Sequence, residues 1–142
     1  MGWTLEPQPP VLEFLKGLGR REYARVDAAL RLLEEQGPHL QPPYVKLIRS
    51  SRHRNMKELR VTVGDSVLRI IFAIDSKRRV ILLTAGNKAE VGYDDFYDVH
   101  VPIADAMFDE IQAKNAAEKS NAVKGDRSGK KKSGRNKKRE RK

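Results

Sequence analysis

The sequence predicts an α+β domain: a short N-terminal strand and two helices packed on an antiparallel sheet of about four strands, then a C-terminal helix and a disordered basic tail. Three observations carry this. The runs MKELRVTV (56–63), SVLRIIFAID (66–75) and RVILLTAGN (79–87) are rich in β-branched and apolar residues and are separated only by turn-forming residues. Tyr23, Val26, Leu30 and Leu33 recur at helical spacing. Residues 113–142 hold 13 Lys and Arg against 3 Asp and Glu, whereas residues 1–112 hold 16 of each, so the formal charge of +10 sits in the tail.

Taken in order, WTLE (3–6) reads as a first strand, ended by the turn Pro7 to Pro10. Val11, Leu12, Leu15 and Leu18 mark a brief helix. The second helix follows Gly19, turns the Tyr23 to Leu33 stripe to the core and stops at Gly37-Pro38. The Pro-interrupted stretch GPHLQPPYVKLIRSS is expected to be loop, with a short extended piece at Tyr44 to Ile48. Three strands then form a meander, the last an apolar run typical of a strand covered on both faces. A final helix starts near Pro102, with Ile103, Met107 and Ile111 on one side and Asp105, Asp109 and Glu110 on the other. Beyond it, KSNAVKGDRSGKKKSGRNKKRERK has too little apolar surface to offset chain entropy.

Composition excludes several classes of chemistry. There is no cysteine, and three scattered histidines (39, 53, 100) lack metal-ligand spacing, so neither metal nor cofactor is expected. No run approaches the roughly 20 apolar residues of a membrane span, and MGWTLEPQPP lacks a secretory pattern, which points to the cytoplasm and no membrane.

Charge is also segregated inside the neutral body. Lys46, Arg49, Arg52, Arg54, Lys57 and Arg60 stand against Glu58 alone, while residues 89–112 contain seven acids and no Lys or Arg. That acidic stretch holds a basic partner, folds against the basic loop or forms a solvated face, and the last is the expectation. A two-residue turn at Gly64-Asp65 pairs Val63 with Ser66, and hence Arg60 with Arg69. Leu59, Val61, Leu68, Ile70 and Phe72 then share the face toward the helices, and Glu58, Arg60, Arg69 and Ile71 the other. A four-residue SKRR turn sets Arg69 beside Gly86 and Val67 beside Lys88, adding Lys88 to the arginine face.

Like charges across an antiparallel pair cost up to about 1 kcal/mol, so the pair calls for an anion or for Glu58, Asp65 or the acidic segment as counter-charge. Phosphate suits the arginine fork, and Gly86 leaves room for a close backbone approach.

The order of short strand, two helices, NMKELRV, turn, LRIIFAID, turn, RVILLTAGNK and final helix resembles the RelE/ParE toxin superfamily in its HigB-like branch. The likeness covers residues 3 to about 113, so 1–113 is expected to be the toxin domain and 114–142 the disordered Lys/Arg-rich tail. The resemblance implies a type II toxin that cuts mRNA on the ribosome without metal, silenced by a cognate antitoxin, often a helix-turn-helix DNA-binding protein. It implies 2′-OH attack on the adjacent phosphate, giving a 2′,3′-cyclic phosphate and a 5′-OH. Arg60 and Arg69 match the family's arginines and Lys88 its lysine after the last core strand, with Lys57 as a further catalytic candidate. His53, Tyr97 and His100 are the candidate acids and bases. Arg52, His53 and Arg54, with Lys130, Lys131 and Lys132 of the tail, are the candidate RNA contacts. The segment NKAEVGYDDFYDVH departs from the branch's paired lysines, which leaves a degenerate toxin open. A non-catalytic ribosome- or nucleic-acid-binding regulator acting through its tail is the alternative, and gyrase inhibition a third.

Overall fold

A computed structural model describes residues 2–131, apart from the side chains of Tyr93 and residues 121–131. The chain runs β1 (Thr4–Pro7), α1 (Pro9–Lys16), α2 (Arg20–Gln36), a 3-10 turn (Gly37–His39), β2 (Val45–Leu47), β3 (Lys57–Val63), β4 (Ser66–Ile74), β5 (Arg79–Asn87), α3 (Lys88–Val91) and α4 (Tyr93–Lys131). The sheet order is β1-β5-β4-β3-β2. The expected meander is therefore present as β3-β4-β5. The extended piece at Val45–Leu47 joins it as a fifth strand, and β1 runs parallel to β5, with Leu5 opposite Val80. No hairpin joins those two strands, so nothing forces them antiparallel.

The sheet is covered on both faces. On one, Leu59, Val61, Leu68, Ile70 and Phe72 pack with Val11, Val26, Ala29 and Leu33 of α1 and α2. Wholly buried side chains of this size each contribute about 1.5–3 kcal/mol. Tyr23 departs from the expected stripe: it is half exposed, and Ala29 takes a buried place on the core side of α2. Where α2 stops, Gly37 has φ +54°, and a Cβ there would meet the Trp3 ring at 2.6 Å. Backbone conformation and close packing both call for glycine.

The other face packs Ile71, Ala73, Ile81 and Leu83 against Phe96, Val101, Ala104 and Phe108 of α4. Here the sequence reading needs correction. α4 starts at Tyr93, nine residues before Pro102, and its most buried stripe is Phe96, Val101, Ala104 and Phe108 rather than Ile103, Met107 and Ile111. Ile103 is 45% exposed, while Asp105, assigned to the polar side, is 4% exposed. Asp105 is buried because Ser51 and the Arg52 backbone bind it, as described below. The helix continues past the boundary expected at residue 113 as far as Lys131; residues 132–142 lie outside the described part.

The β4-β5 connection reaches the expected register by an unexpected route. The Asp75 N–H bonds the Arg79 carbonyl at 3.0 Å, leaving three residues in the turn, with Arg78 at φ 62°. A turn one residue shorter would slide Arg69 off Gly86. An irregularity between Ile71 and Phe72 takes up the extra residue, since Phe72 pairs with Leu82 but Ile71 with Thr84. Such a bulge moves the register by one. Asp75, not singled out in the sequence, anchors this turn: its carboxylate accepts from the Lys77 and Arg79 backbone, the Arg79 side chain and Asn115 of α4. Burial opposes its ionisation, but these donors hold its pKa below the usual carboxylate value.

Candidate anion site on the arginine face

Arg60 pairs with Arg69, and Arg69 with Gly86, as the turn chemistry predicts. The Arg60 N–H donates to the Tyr44 carbonyl at 2.8 Å, so its backbone points to β2. The arginine pair is thus a non-hydrogen-bonded pair, the closer of the two antiparallel arrangements, with Cα atoms about 4.5 Å apart. Arg69 is 5% exposed. Its Nη1 donates to the Leu68 carbonyl at 2.8 Å, but its Nε and the Nε of Arg60 are buried without a hydrogen-bond partner.

The counter-charge is Glu58. Its carboxylate, 2% exposed, lies 3.6 Å from Arg69 Nε through Oε1, within ion-pair range but beyond a hydrogen bond. Tyr97 of α4 donates its hydroxyl to the same carboxylate, at 2.8 Å to Oε1 and 3.0 Å to Oε2. The Lys88 ammonium donates to the Tyr97 hydroxyl at 2.8 Å. Burial and the hydrogen bond to Glu58 push the Tyr97 phenol up to about 12. Burial, with Arg69 adding to it, lowers the Lys88 pKa, while Glu58 opposes the shift.

Lys88 reaches this cluster differently from the expected ladder position beside Val67. The paired register ends at Leu68 and Asn87. The Asn87 side chain then accepts from Val67 N at 3.0 Å and caps α3 through Ala89 N at 3.0 Å. Lys88 is the first residue of α3 and is buried.

The remaining candidates separate into other places. Lys57 alternates with Glu58 along β3 and so falls on the α2 face, its ammonium 3.5 Å from the Pro38 carbonyl. It does not join the arginine pair. His100 stacks on Phe96 at 4.4 Å between centroids, and its Nδ1 lies 2.9 Å from Thr84 Oγ1. Burial lowers its pKa below the ordinary histidine value. A Cβ on Gly86 would sit 3.0 Å from Phe96 and 3.2 Å from His100, so glycine there makes room for these rings.

Arg52 and His53 are held by the acidic segment. Ser51 Oγ donates to Asp105 at 2.5 Å and the Arg52 N–H at 3.3 Å, the Arg52 guanidinium binds Asp109, and His53 Nε2 lies 2.8 Å from Asp109 Oδ1. The Arg52 hydrogen bond lowers the Asp109 pKa. The solvated-face expectation is therefore wrong for Asp105 and Asp109, which clamp the basic loop; Asp94, Asp95 and Asp98 are exposed. Arg54 is exposed on the same loop. Lys130 and Lys131 lie at the end of α4 with undescribed side chains, and Lys132 falls outside the described residues. Glu58 had a sequence signal, being the one acid among six cations; the structure pairs it in register with Lys46. The Ser51 and Asp105 contact, 54 positions apart, had none.

Against known proteins, residues 13–109 match the family model described as Phage derived protein Gp49-like (DUF891). The chain belongs to the Gp49-like family. Its curated relatives include "Putative toxin HigB2" of Mycobacterium tuberculosis, 46% identical over 78% of this chain and 54% of that one. "Putative toxin HigB3" of the same organism is 43% identical over 68% of this chain and 82% of that one. These names agree with the HigB-like resemblance of the strand motifs. The chain spans about half the length of the HigB2 relative. Among solved structures, a doubly substituted E. coli toxin RelE in the free state is similar at 15% identity, covering 62% of this chain and 85% of that one, with a TM-score of 0.46. The archaeal RelE-RelB complex from Pyrococcus horikoshii is similar at 19% identity, covering 62% and 97%, with a TM-score of 0.47. No helix among the described residues is long and apolar enough to cross a membrane.

Proposed function

We propose that this Gp49-like chain is the toxin of a type II toxin–antitoxin pair, acting in the cytoplasm as a ribosome-dependent, metal-independent mRNA endoribonuclease. The observation that carries the reading is the facing pair Arg60 and Arg69, each with a buried Nε lacking a hydrogen-bond partner. The HigB names of its relatives support the toxin assignment.

In this reading the scissile phosphate docks against Arg60 and Arg69, whose guanidinium groups stabilise the charge that builds on the phosphorane-like transition state. The ribose 2′-OH gives up its proton, with the His100 imidazole beside Gly86 as the candidate acceptor, and attacks the phosphorus; the bond to the 5′ oxygen breaks, and the products are a 2′,3′-cyclic phosphate and a 5′-OH. Tyr97 stays protonated at neutral pH and is the candidate acid for the departing oxygen, with Lys88 hydrogen-bonded to it. Residues 114–142 add salt-sensitive affinity for ribosomal RNA. The partner is a cognate antitoxin of the helix-turn-helix, DNA-binding kind.

A second reading has one observation in its favour. Glu58 already sits in ion-pair range of Arg69, as expected of a regulator or degenerate toxin that binds ribosomes without cutting. Mapping new 5′-OH ends in a translating bacterial extract separates the two. Cleavage that requires translation and is lost in Arg60→Ala supports the nuclease. Ribosome binding without new ends, by a chain that circular dichroism shows to be folded, overturns it.

A further inference from the structure

α4 is 39 residues long, about 58 Å at 1.5 Å per residue, and one side of it packs on the sheet through Phe96, Val101, Ala104 and Phe108. Its described side chains reach the body as far as Asn115, which binds Asp75, and Glu118, which binds Lys77. On the far side, Val99, Ile103, Ala106, Glu110, Ala113 and Ala117 are all exposed, Val99 by 54% and Ile103 by 45%. These positions are separated by alternating steps of four and three residues, the spacing at which one helix packs along another. Apolar but for Glu110, the stripe is a helix-packing seam facing solvent.

Charge along the helix selects what covers that seam. Residues 94–112 hold six acids and no Lys or Arg, whereas residues 113–131 hold six Lys and Arg against two acids. By helical spacing, Asp94 and Asp98 near the start and Arg127 and Lys130 near the end fall on the same flank of the seam. Two such helices laid parallel set acid against acid; laid antiparallel, the acidic half of each meets the basic half of the other. A basic segment of another protein would match the acids and leave the cations of α4 unmatched. A second copy of this chain uses both. The last stretch of α4 also contains Gly125 and Gly129, each about 1 kcal/mol less favourable than Ala within a helix, so it gains from a neighbouring helix.

We propose that α4 pairs antiparallel with α4 of a second copy, giving a two-fold symmetric dimer in which both helices present the same seam. Centred between Ile111 and Gln112, the seam sets Ala106 opposite Ala117, Ile103 opposite Ser120 and Glu110 opposite Ala113. The small residues at the middle let the two helices approach closely. Asp94 and Asp98 of each copy then run alongside Arg127 and Lys130 of the other, so the dimer contains this charged contact twice. Pairing takes up cations that are otherwise open to nucleic acid. The inference rests on α4 alone and does not require the nuclease reading.

Sedimentation velocity on the full chain is the test. At about 100 μM and low salt the chain should run as a dimer that dissociates on dilution and as salt rises. Ile103→Asp places a charge in the seam at an exposed position and should weaken dimerisation at least about tenfold. D94K/D98K and R127E/K130E each set like charge against like and should be monomeric alone. Mixed, they recover both charged contacts and should dimerise again. The chain has no cysteine, so disulfide trapping supplies a second measurement that keeps the native charges. Chains carrying Ala106→Cys should cross-link to chains carrying Ala117→Cys in preference to chains of their own kind. A monomer at that concentration overturns the proposal. So does a mixture of the two charge variants that stays monomeric, or trapping that favours Ala106→Cys with itself, which marks parallel helices.

Discussion

The basic loop at residues 51–54 and the arginine pair on β3 and β4 look alike in sequence, as neighbouring clusters of positive charge, and end in opposite conditions. In the loop, Arg52 and His53 are matched to Asp109, and Ser51 and the Arg52 backbone to Asp105. On the strands, Arg60 and Arg69 face each other across a close pair, with Glu58 the buried acid beside them. A run of cations is thus no measure of a site. What decides is whether the fold brings a counter-charge from elsewhere, and here α4 supplies two carboxylates to the loop while giving the arginines only a phenol.

The sharpest way to break this contrast is Arg69→Ala. Removing one member of a buried ion pair strands the other, at a cost of about 3–5 kcal/mol. Chemical unfolding should show a loss of that size, and Glu58→Gln introduced with it should recover a substantial part, because a neutral amide no longer needs the guanidinium. If the double variant is no more stable than Arg69→Ala alone, Glu58 is not the counter-charge.

The arginine pairing was legible because a two-residue turn containing glycine fixes register through local chemistry, and Gly64 adopts φ +57° as that turn requires. The next turn was misread by one residue, yet Arg69 still meets Gly86 because a bulge compensates. Bulges carry little sequence signal. The acidic helix was harder: Asp105 looks solvent-facing until Ser51 is brought to it, and no periodicity encodes a contact across 54 positions. Lys57 and Glu58 show the opposite case, since adjacent strand residues must take opposite faces and simple alternation separates them.

Asp105→Ala is the next largest test. It leaves the Ser51 hydroxyl and the Arg52 N–H without their acceptor in a part-buried place, which costs about 1–3 kcal/mol. Thermal unfolding should show that loss, and hydrogen exchange should rise in the loop after Ser51 while β4 stays protected. Equal loosening of both would mean that loop and sheet are one cooperative unit rather than a clamp on a stable body.

A smaller effect comes from His100. Its folded pKa lies below the unfolded value of 6.5 because it is buried. As pH falls through 6.5 the unfolded chain takes up a proton that the folded chain refuses, so stability declines until the lower folded pKa is reached. His100→Asn keeps a polar group near Thr84 and removes the titration. Its stability should vary less than wild type as pH falls from about 6.5 toward 5. A parallel decline in the two proteins would show that His100 protonates as readily folded as unfolded.

Arg52→Ala should do least, and that is why it matters. The Arg52 side chain is 60% exposed and its Asp109 partner 44%, so water and salt screen the pair. Asp105 keeps its bonds from Ser51 and from the backbone of residue 52, and Asp109 keeps His53, so the clamp survives the substitution. Stability and any mRNA cleavage should stay close to wild type, whereas Arg60→Ala, eight residues on, should lose cleavage while remaining folded. If Arg52→Ala loses cleavage to the same degree, the exposed guanidinium binds substrate despite its carboxylate. The line between clamped and available cations would then fall within the loop, at Arg52 itself, rather than between the loop and the strands.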